Sequence, residues 1–276
     1  MNKLLFLVIF LYSCVALAQR TIPIDDPLFE ISIENLDLIS LDTKDQIFAS
    51  KTNGDIYLFS ASGKQLNVFS PSRQGRLSHI EAAKTVNIFT FSRDLQEYRI
   101  LDRFLSSLHE EDFSRSTVNL ARVATLGNNN VIWVYDESDF SLKSLDYLRN
   151  IVLQSQPLNL ILPIENFEVL EIREFKNRLF MHVKDYGYLI FDNQGNLIQR
   201  VDSNSNQRIC FYNEHLLWIE NQSLMAYSLS KLQLENLATI SATNIDYIQI
   251  GREQLYLVSP GKIQAHHIPA WLKSLK

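Results

Sequence analysis

An aliphatic residue followed by an aromatic one, each time inside a short apolar stretch, recurs along this chain. The instances are Ile47-Phe48, Ile88-Phe89, Ile132-Trp133, Leu179-Phe180, Leu217-Trp218 and Leu255-Tyr256. They lie 41, 44, 47, 38 and 38 residues apart, a mean of about 42, which falls in the range of four-stranded propeller blades. Seven to ten residues after each pair a second apolar stretch follows, at 56–59, 98–101, 142–145, 188–191, 224–227 and 263–266. Another precedes each pair, at 37–41, 79–82, 121–125, 169–172, 209–212 and 247–250. In the first and fourth units the turn clusters Ser60-Ala61-Ser62-Gly63 and Asp192-Asn193-Gln194-Gly195 lead into outer strands at 65–69 and 197–201. Asn53-Gly54 reads as a two-residue hairpin with both positions in the left-handed region.

Each unit therefore predicts four short antiparallel strands. The fold class is all-β, a six-bladed β-propeller with blades near 34–71, 76–114, 118–163, 165–203, 206–240 and 244–268. The sixth unit runs out after its third strand, and the alternating segment 28–33 is placed to supply the fourth and close the ring. A single blade cannot bury its apolar faces; six packed around an axis bury both faces of each sheet. That accounts for runs such as Val131-Ile132-Trp133-Val134-Tyr135. A β-sandwich or β-helix with irregular repeats is the rival, and the spacing is too regular and too long for it. The segment 147–167, rich in Leu and Ile, is expected to hold the third unit's outer strand, or to expose a docking edge.

Composition adds limits. Of 276 residues, 46% are hydrophobic and 21% charged, enough for a packed core. A net charge of −5 argues against a dedicated nucleic-acid binder. Two cysteines exclude a disulfide scaffold and a Cys-based zinc ribbon. Met1-Asn2-Lys3, an apolar run over 4–15 and Ala16-Leu17-Ala18 before Gln19 read as a secretory signal peptide over 1–18. The mature part, 19–276, is expected to be one propeller domain without a transmembrane span. Leu11-Tyr12-Ser13-Cys14 loosely matches a lipoprotein box, but Tyr12 and the apolar residues after Cys14 fit it poorly. Cys210, in an alternating stretch, reads as a buried, inert thiol.

Asn177 to Val183 followed by Gly187-Tyr188-Leu189-Ile190-Phe191-Asp192-Asn193-Gln194-Gly195-Asn196-Leu197-Ile198 resembles an NHL-type propeller repeat. The stretches 75–80 and 95–102, with the Ala-Gln cleavage style, resemble a set of secreted propellers from Bacteroidota. The resemblance implies fold, and it leaves lactonases, sugar dehydrogenases and the periplasmic propeller of the Tol-Pal system equally open.

Reactive constellations are scarce. There is no Gly-x-Ser-x-Gly, no phosphate-binding glycine loop, and no pair of histidines at helical metal-ligand spacing. Asn35, Asn119, Asn166, Asn206 and Asn244, with Glu34, Glu165 and Asp246, stand where inner strands begin, and would be the oxygen ligands of an axial cation; the same residue types are also ordinary turn formers. Arg73, Arg76, Arg115, Arg122 and Arg208 stand at similar places and would attract an anion or an acidic partner if they share a face. The leading expectation is a non-catalytic binding or scaffold protein of the bacterial cell envelope. It would be exported to the periplasm or outer-membrane periphery as a monomer, have a protein partner, and need no cofactor or metal. The alternative is a divalent-cation-dependent lactonase-like or sugar-active enzyme with its site on the axis.

Overall fold

The computed structural model describes residues 21–22, 26–82, 87–163, 167–240 and 244–275; the expected leader lies outside them. Two strands precede the blades, β1 (Thr21–Ile22) and β2 (Phe29–Ser32). Blade one is β3 (Leu36–Leu41), β4 (Ile47–Lys51), β5 (Ile56–Phe59) and β6 (Gln65–Phe69). Blade two is β7 (His79–Glu81), β8 (Asn87–Ser92), β9 (Glu97–Asp102) and β10 (Ser107–Asp112). Blade three is β11 (Ala121–Leu126), β12 (Val131–Asp136), β13 (Ser141–Asp146) and β14 (Ile151–Pro157). Blade four is β15 (Val169–Phe175), β16 (Arg178–Val183), β17 (Gly187–Phe191) and β18 (Leu197–Val201). Blade five is β19 (Cys210–Tyr212), β20 (His215–Glu220), β21 (Ser223–Ser228) and β22 (Gln233–Ile240). Blade six has β23 (Tyr247–Ile250), β24 (Gln254–Ser259) and β25 (Lys262–His267), and a short helix, α1 (Ala270–Lys273), follows.

The fourth strand of blade six is β2, antiparallel to β25 with Ile31 opposite Ile263. The strand from 28–33 thus shares a sheet with the last three strands, as the alternating 28–33 segment implied. A second latch joins blades six and one. The Asp45 carboxylate accepts the backbone N–H of Arg252 (2.5 Å) and of Glu253 (2.7 Å). Gly251 lies so close beneath that carboxylate that a Cβ would collide with it. One strand was not foreseen: β1 adds to blade five, parallel to β22, with Ile22 opposite Ile240.

The repeated pair has a clear packing role. Among the described residues the buried apolar side chains form six clusters, one at each blade–blade interface. Successive side chains on a strand point to opposite faces, so the two members of a pair serve different interfaces. Ile47 packs toward blade six and Phe48 toward blade two. Ile132 packs toward blade two and Trp133 toward blade four. Blade five departs from this. There Leu216 faces blade four and Leu217 faces blade six, so the equivalent pair is Leu216-Leu217, one residue ahead of the expected Leu217-Trp218. Trp218 then points back at Tyr188 of blade four, with ring centroids 5.0 Å apart. A one-residue slip exchanges faces, and an aromatic on either face of this buried strand satisfies an apolar pattern.

The Asn53-Gly54 turn also differs. Only Gly54 has positive φ (94°), and Lys51 pairs with Asp55 while Gly54 N–H returns to the Lys51 carbonyl. This is a three-residue loop with a left-handed glycine, because Thr52 extends the turn by one position. The segment 147–167 supplies β14 as expected, and Leu148, Ile151, Leu153 and Leu160 on and beside it are exposed.

Closure by β2 makes its buried contact energetically important. Ile31→Ala should cost about 2–4 kcal/mol by urea denaturation. Leu66→Ala, on the exposed face of β6, should stay within about 0.5 kcal/mol.

Candidate functional site

The innermost strand of each blade has a neighbouring strand on one edge only. Its other edge faces the axis, where backbone N–H and C=O groups still need partners. Polar side chains supply them from blade to blade. Tyr247 Oη accepts the Ile39 N–H (2.8 Å), tying blade six to blade one. Ser40 Oγ accepts the Ala82 N–H (2.9 Å), tying one to two. Thr125 Oγ1 donates to the Glu81 carboxylate (2.6 Å), tying three to two. The peptide group at Ile209 of blade five is held from both sides. Its N–H donates to Glu171 Oε2 (2.8 Å), and its carbonyl accepts from Arg173 Nη1 (3.0 Å) and from Gln249 Nε2 (3.1 Å).

The charges on the axis compensate one another. Glu171 lies 3.4 Å from Arg173 Nε and 3.3 Å from Arg208 Nη2, and His79 Nδ1 is 3.7 Å away. Arg208 also donates to the Ser78 carbonyl (3.3 Å) of blade two. On its other side, His79 Nε2 lies 3.3 Å from Glu81. Burial pushes the Glu171 carboxyl up, but Arg208 and Arg173 outweigh it and hold the group below its ordinary value. Burial pulls His79 down against the upward pull of Glu81 and Glu171, favouring the neutral ring. His182 is also pulled down by burial, although its Nε2 donates to the Ser205 carbonyl (2.8 Å). Burial pushes the Cys210 thiol up to about 12, so it carries no thiolate at neutral pH.

Recesses open on both sides of this network. On the face where inner strands end, a cavity of about 330 Å³ is walled by Ser40, Glu81, Arg173 and Gln249, with Phe175, Phe211 and Tyr212 on one side. On the face where inner strands begin, a recess of about 440 Å³ between blades four and five is lined by Glu171, His182, Lys184, Asn206, Gln207 and Arg208.

The described residues among those singled out in the sequence belong to the second face, because they occupy connections into inner strands or the strands' first residues. Asn206 and Arg208 meet in the same recess. Asn244 lines a separate recess with Gln207 and Asn221. Asn35 is a left-handed turn residue (φ 60°) whose carbonyl accepts the Thr52 N–H. The Asn119 backbone donates to Asp136 (2.8 Å) while its side chain is exposed. Asn166 and Glu165 lie outside the described residues. The arginines are engaged one by one: Arg76 with Asp37 through two 2.8 Å bonds, Arg122 with Glu168 at 2.6 Å, Arg73 with Glu97 at 3.3 Å, and Arg115 with Glu111 at 3.3 Å.

The axial network is singled out in the sequence only at Arg208, and at none of Glu171, Arg173, His79, Glu81 or Gln249. Its signal was there: charged residues inside apolar inner strands, as in Leu170-Glu171-Ile172-Arg173 and His79-Ile80-Glu81. Such residues are costly to bury unless paired.

Two outcomes follow. Glu171→Gln strands two guanidinium groups at the axis and should destabilise the fold by about 3–5 kcal/mol, read by urea denaturation at neutral pH. His79 and His182 have folded values below the unfolded imidazole value of about 6.5. The unfolded state therefore takes up protons first on acidification, and stability should fall as pH drops from about 7 toward about 5, read as a falling melting temperature. A flat profile would contradict the buried neutral histidines.

No known protein family matches the chain, and no curated protein matches it. Solved structures do. The β-propeller domain of Cps50 (Swd1) from Myceliophteria thermophila shares 9% identity at a TM-score of 0.64, covering 88% of this chain and 99% of that one. The Pan2 WD40 domain of Neurospora crassa shares 10% identity at a TM-score of 0.57, covering 89% of this chain and 86% of that one. At these identities the likeness concerns the fold, and with the six sheets and their closure it makes this chain a six-bladed β-propeller.

Proposed function

We propose that the protein is an exported, non-catalytic binding or scaffold protein of the bacterial cell envelope, working as a monomer in the periplasm or at the outer-membrane periphery with a protein partner. The observation that carries the binding role is the axis. Its charges are committed to one another and to backbone groups, so they hold the blades in place and leave preformed recesses at both mouths. A rigid, preshaped surface loses little entropy when it binds. The leader-like start at 1–18 supports export, and the likeness of 75–80 and 95–102 to secreted Bacteroidota propellers supports a bacterial origin. No helix among the described residues is long and apolar enough to cross a membrane. The net charge of −5 disfavours nucleic acid. The cation-dependent hydrolase gains no comparable support. Asn35, Asn119, Asn206 and Asn244 stand in connections of different blades, and Glu81 and Glu171 are already bonded to Thr125, Ile209 and the axial arginines.

The test is affinity purification of the tagged protein from native envelopes, with mass spectrometry, metal analysis and N-terminal sequencing of one eluate. The expected result is a stoichiometric envelope protein, no stoichiometric metal, and a chain that starts at Gln19. A cytosolic chain that retains Met1 would overturn the export reading. Stoichiometric calcium without a protein partner would overturn the scaffold reading.

A further inference from the structure

We infer that the rim of the face where the inner strands end docks on an anionic phospholipid surface. The inference goes beyond the binding reading above, which names a protein partner, by assigning a lipid surface to one face of the propeller.

Topology fixes which positions share that face. Strands alternate in direction within each antiparallel blade, so the turn between third and fourth strands opens on the side where the inner strand ends. In blade six β2 runs antiparallel to β25 and starts on the same side. Single exposed apolar residues are ordinary, but their distribution here is lopsided. Among the described residues fifteen large apolar side chains are exposed, and ten of them stand in these outer turns, just ahead of a fourth strand or at its first two positions. Three, Leu120, Phe140 and Leu160, stand on the opposite face.

Every blade contributes to the rim. Leu66, Phe104, Leu148, Ile198 and Leu232 mark blades one to five, and Leu28, just ahead of β2, marks blade six. They are between 43% and 63% exposed, so each has apolar surface left to bury. The positions encircle the face. A globular partner meets one arc of such a ring, or the mouth at its centre, whereas a plane meets all six blades together. Nearer the axis, the turns between first and second strands present exposed polar side chains instead, as at Lys44, Asn128, Lys176 and Arg252.

Charge selects the kind of surface. Lys64, Arg103, Arg149 and Lys231 are exposed, and each stands within two positions of the apolar residue that marks its blade. The Arg103 guanidinium lies over the Phe104 ring, 4.7 Å from its centroid. Arg149 is 3.7 Å from Asp146, a loose and exposed pair. The aspartates of the outer turns are half-buried and committed to the backbone. Asp102 accepts the N–H groups of Phe104 and Ser106, Asp146 those of Leu148 and Arg149, and Asp192 those of Gln194 and Asn196. The tips thus present apolar side chains flanked by cations. At a bilayer the apolar groups enter the acyl boundary, and the lysine and arginine side chains reach the phosphates.

The experiment is co-sedimentation of the purified protein with vesicles of phosphatidylcholine alone and of phosphatidylcholine mixed with phosphatidylglycerol. Binding to the anionic vesicles should be at least about tenfold tighter than to the neutral ones. Phe104→Ser, Leu148→Ser and Leu232→Ser together should weaken it at least about tenfold, with the melting temperature unchanged because all three side chains are exposed. Arg103→Gln, Arg149→Gln and Lys231→Gln together should remove most of the preference for anionic vesicles. Leu120→Ser with Leu160→Ser, on the opposite face, should leave binding as it is. Four results would overturn the inference: no binding to either vesicle, equal binding to both, loss of binding with the opposite-face pair but not with the rim variants, or a rim that serves only to hold a second copy or an envelope protein. Recovery of an envelope partner alongside silence on vesicles would leave the broader binding reading standing.

Discussion

A propeller's innermost strands pair on one edge and face one another across the axis with the other. The backbone groups on that edge must be satisfied, and in this protein side chains do so. The peptide at Ile209 is the most heavily used, held by Glu171 and Arg173 from blade four and by Gln249 from blade six. Ionisable side chains had to enter the core for this, and each then required a counter-charge or a hydrogen bond. Glu171 lies between Arg173 and Arg208, and His79 sits between Glu81 and Glu171. The shapes of both mouths follow from where these side chains are anchored.

Buried ion pairs contribute little net stability against apolar replacements of the same volume, while removal of one partner is costly. The stabilising weight therefore lies in the six apolar clusters between blades, where each second strand sends alternate residues to its two neighbours. The axial network adds direction. It ties the inner strands of different blades to one another. Closure completes the arrangement from outside. The β2–β25 pairing gives blade six its outer strand, and the Asp45 latch ties its loop to blade one. With β1 on blade five, the N-terminal segment reaches two blades before blade one begins.

The two faces differ in chemistry. Where the inner strands begin, arginines are paired with carboxylates from adjacent connections, as Arg76 is with Asp37 and Arg122 with Glu168. That face is laced by exposed ion pairs of small individual weight. Where the strands end, polar groups fixed from several blades meet an aromatic wall around a cavity.

The sequence by itself determined the fold class, the number of blades, the place of nearly every strand and the closing role of 28–33. Alternation along buried strands is a local signal, and here it repeats often enough to be read without contacts. It determined the inert character of Cys210 for the same reason. The phase of blade five escaped it, since Leu216, Leu217 and Trp218 are all apolar and only the neighbouring blades distinguish their faces. The addition of β1 to blade five escaped it too, because two residues carry no periodicity. The axial network was decided by tertiary structure alone. Glu81, Glu171, Arg173, Arg208 and Gln249 are separated by as many as 168 residues, and only the closure of the ring brings them within hydrogen-bond reach.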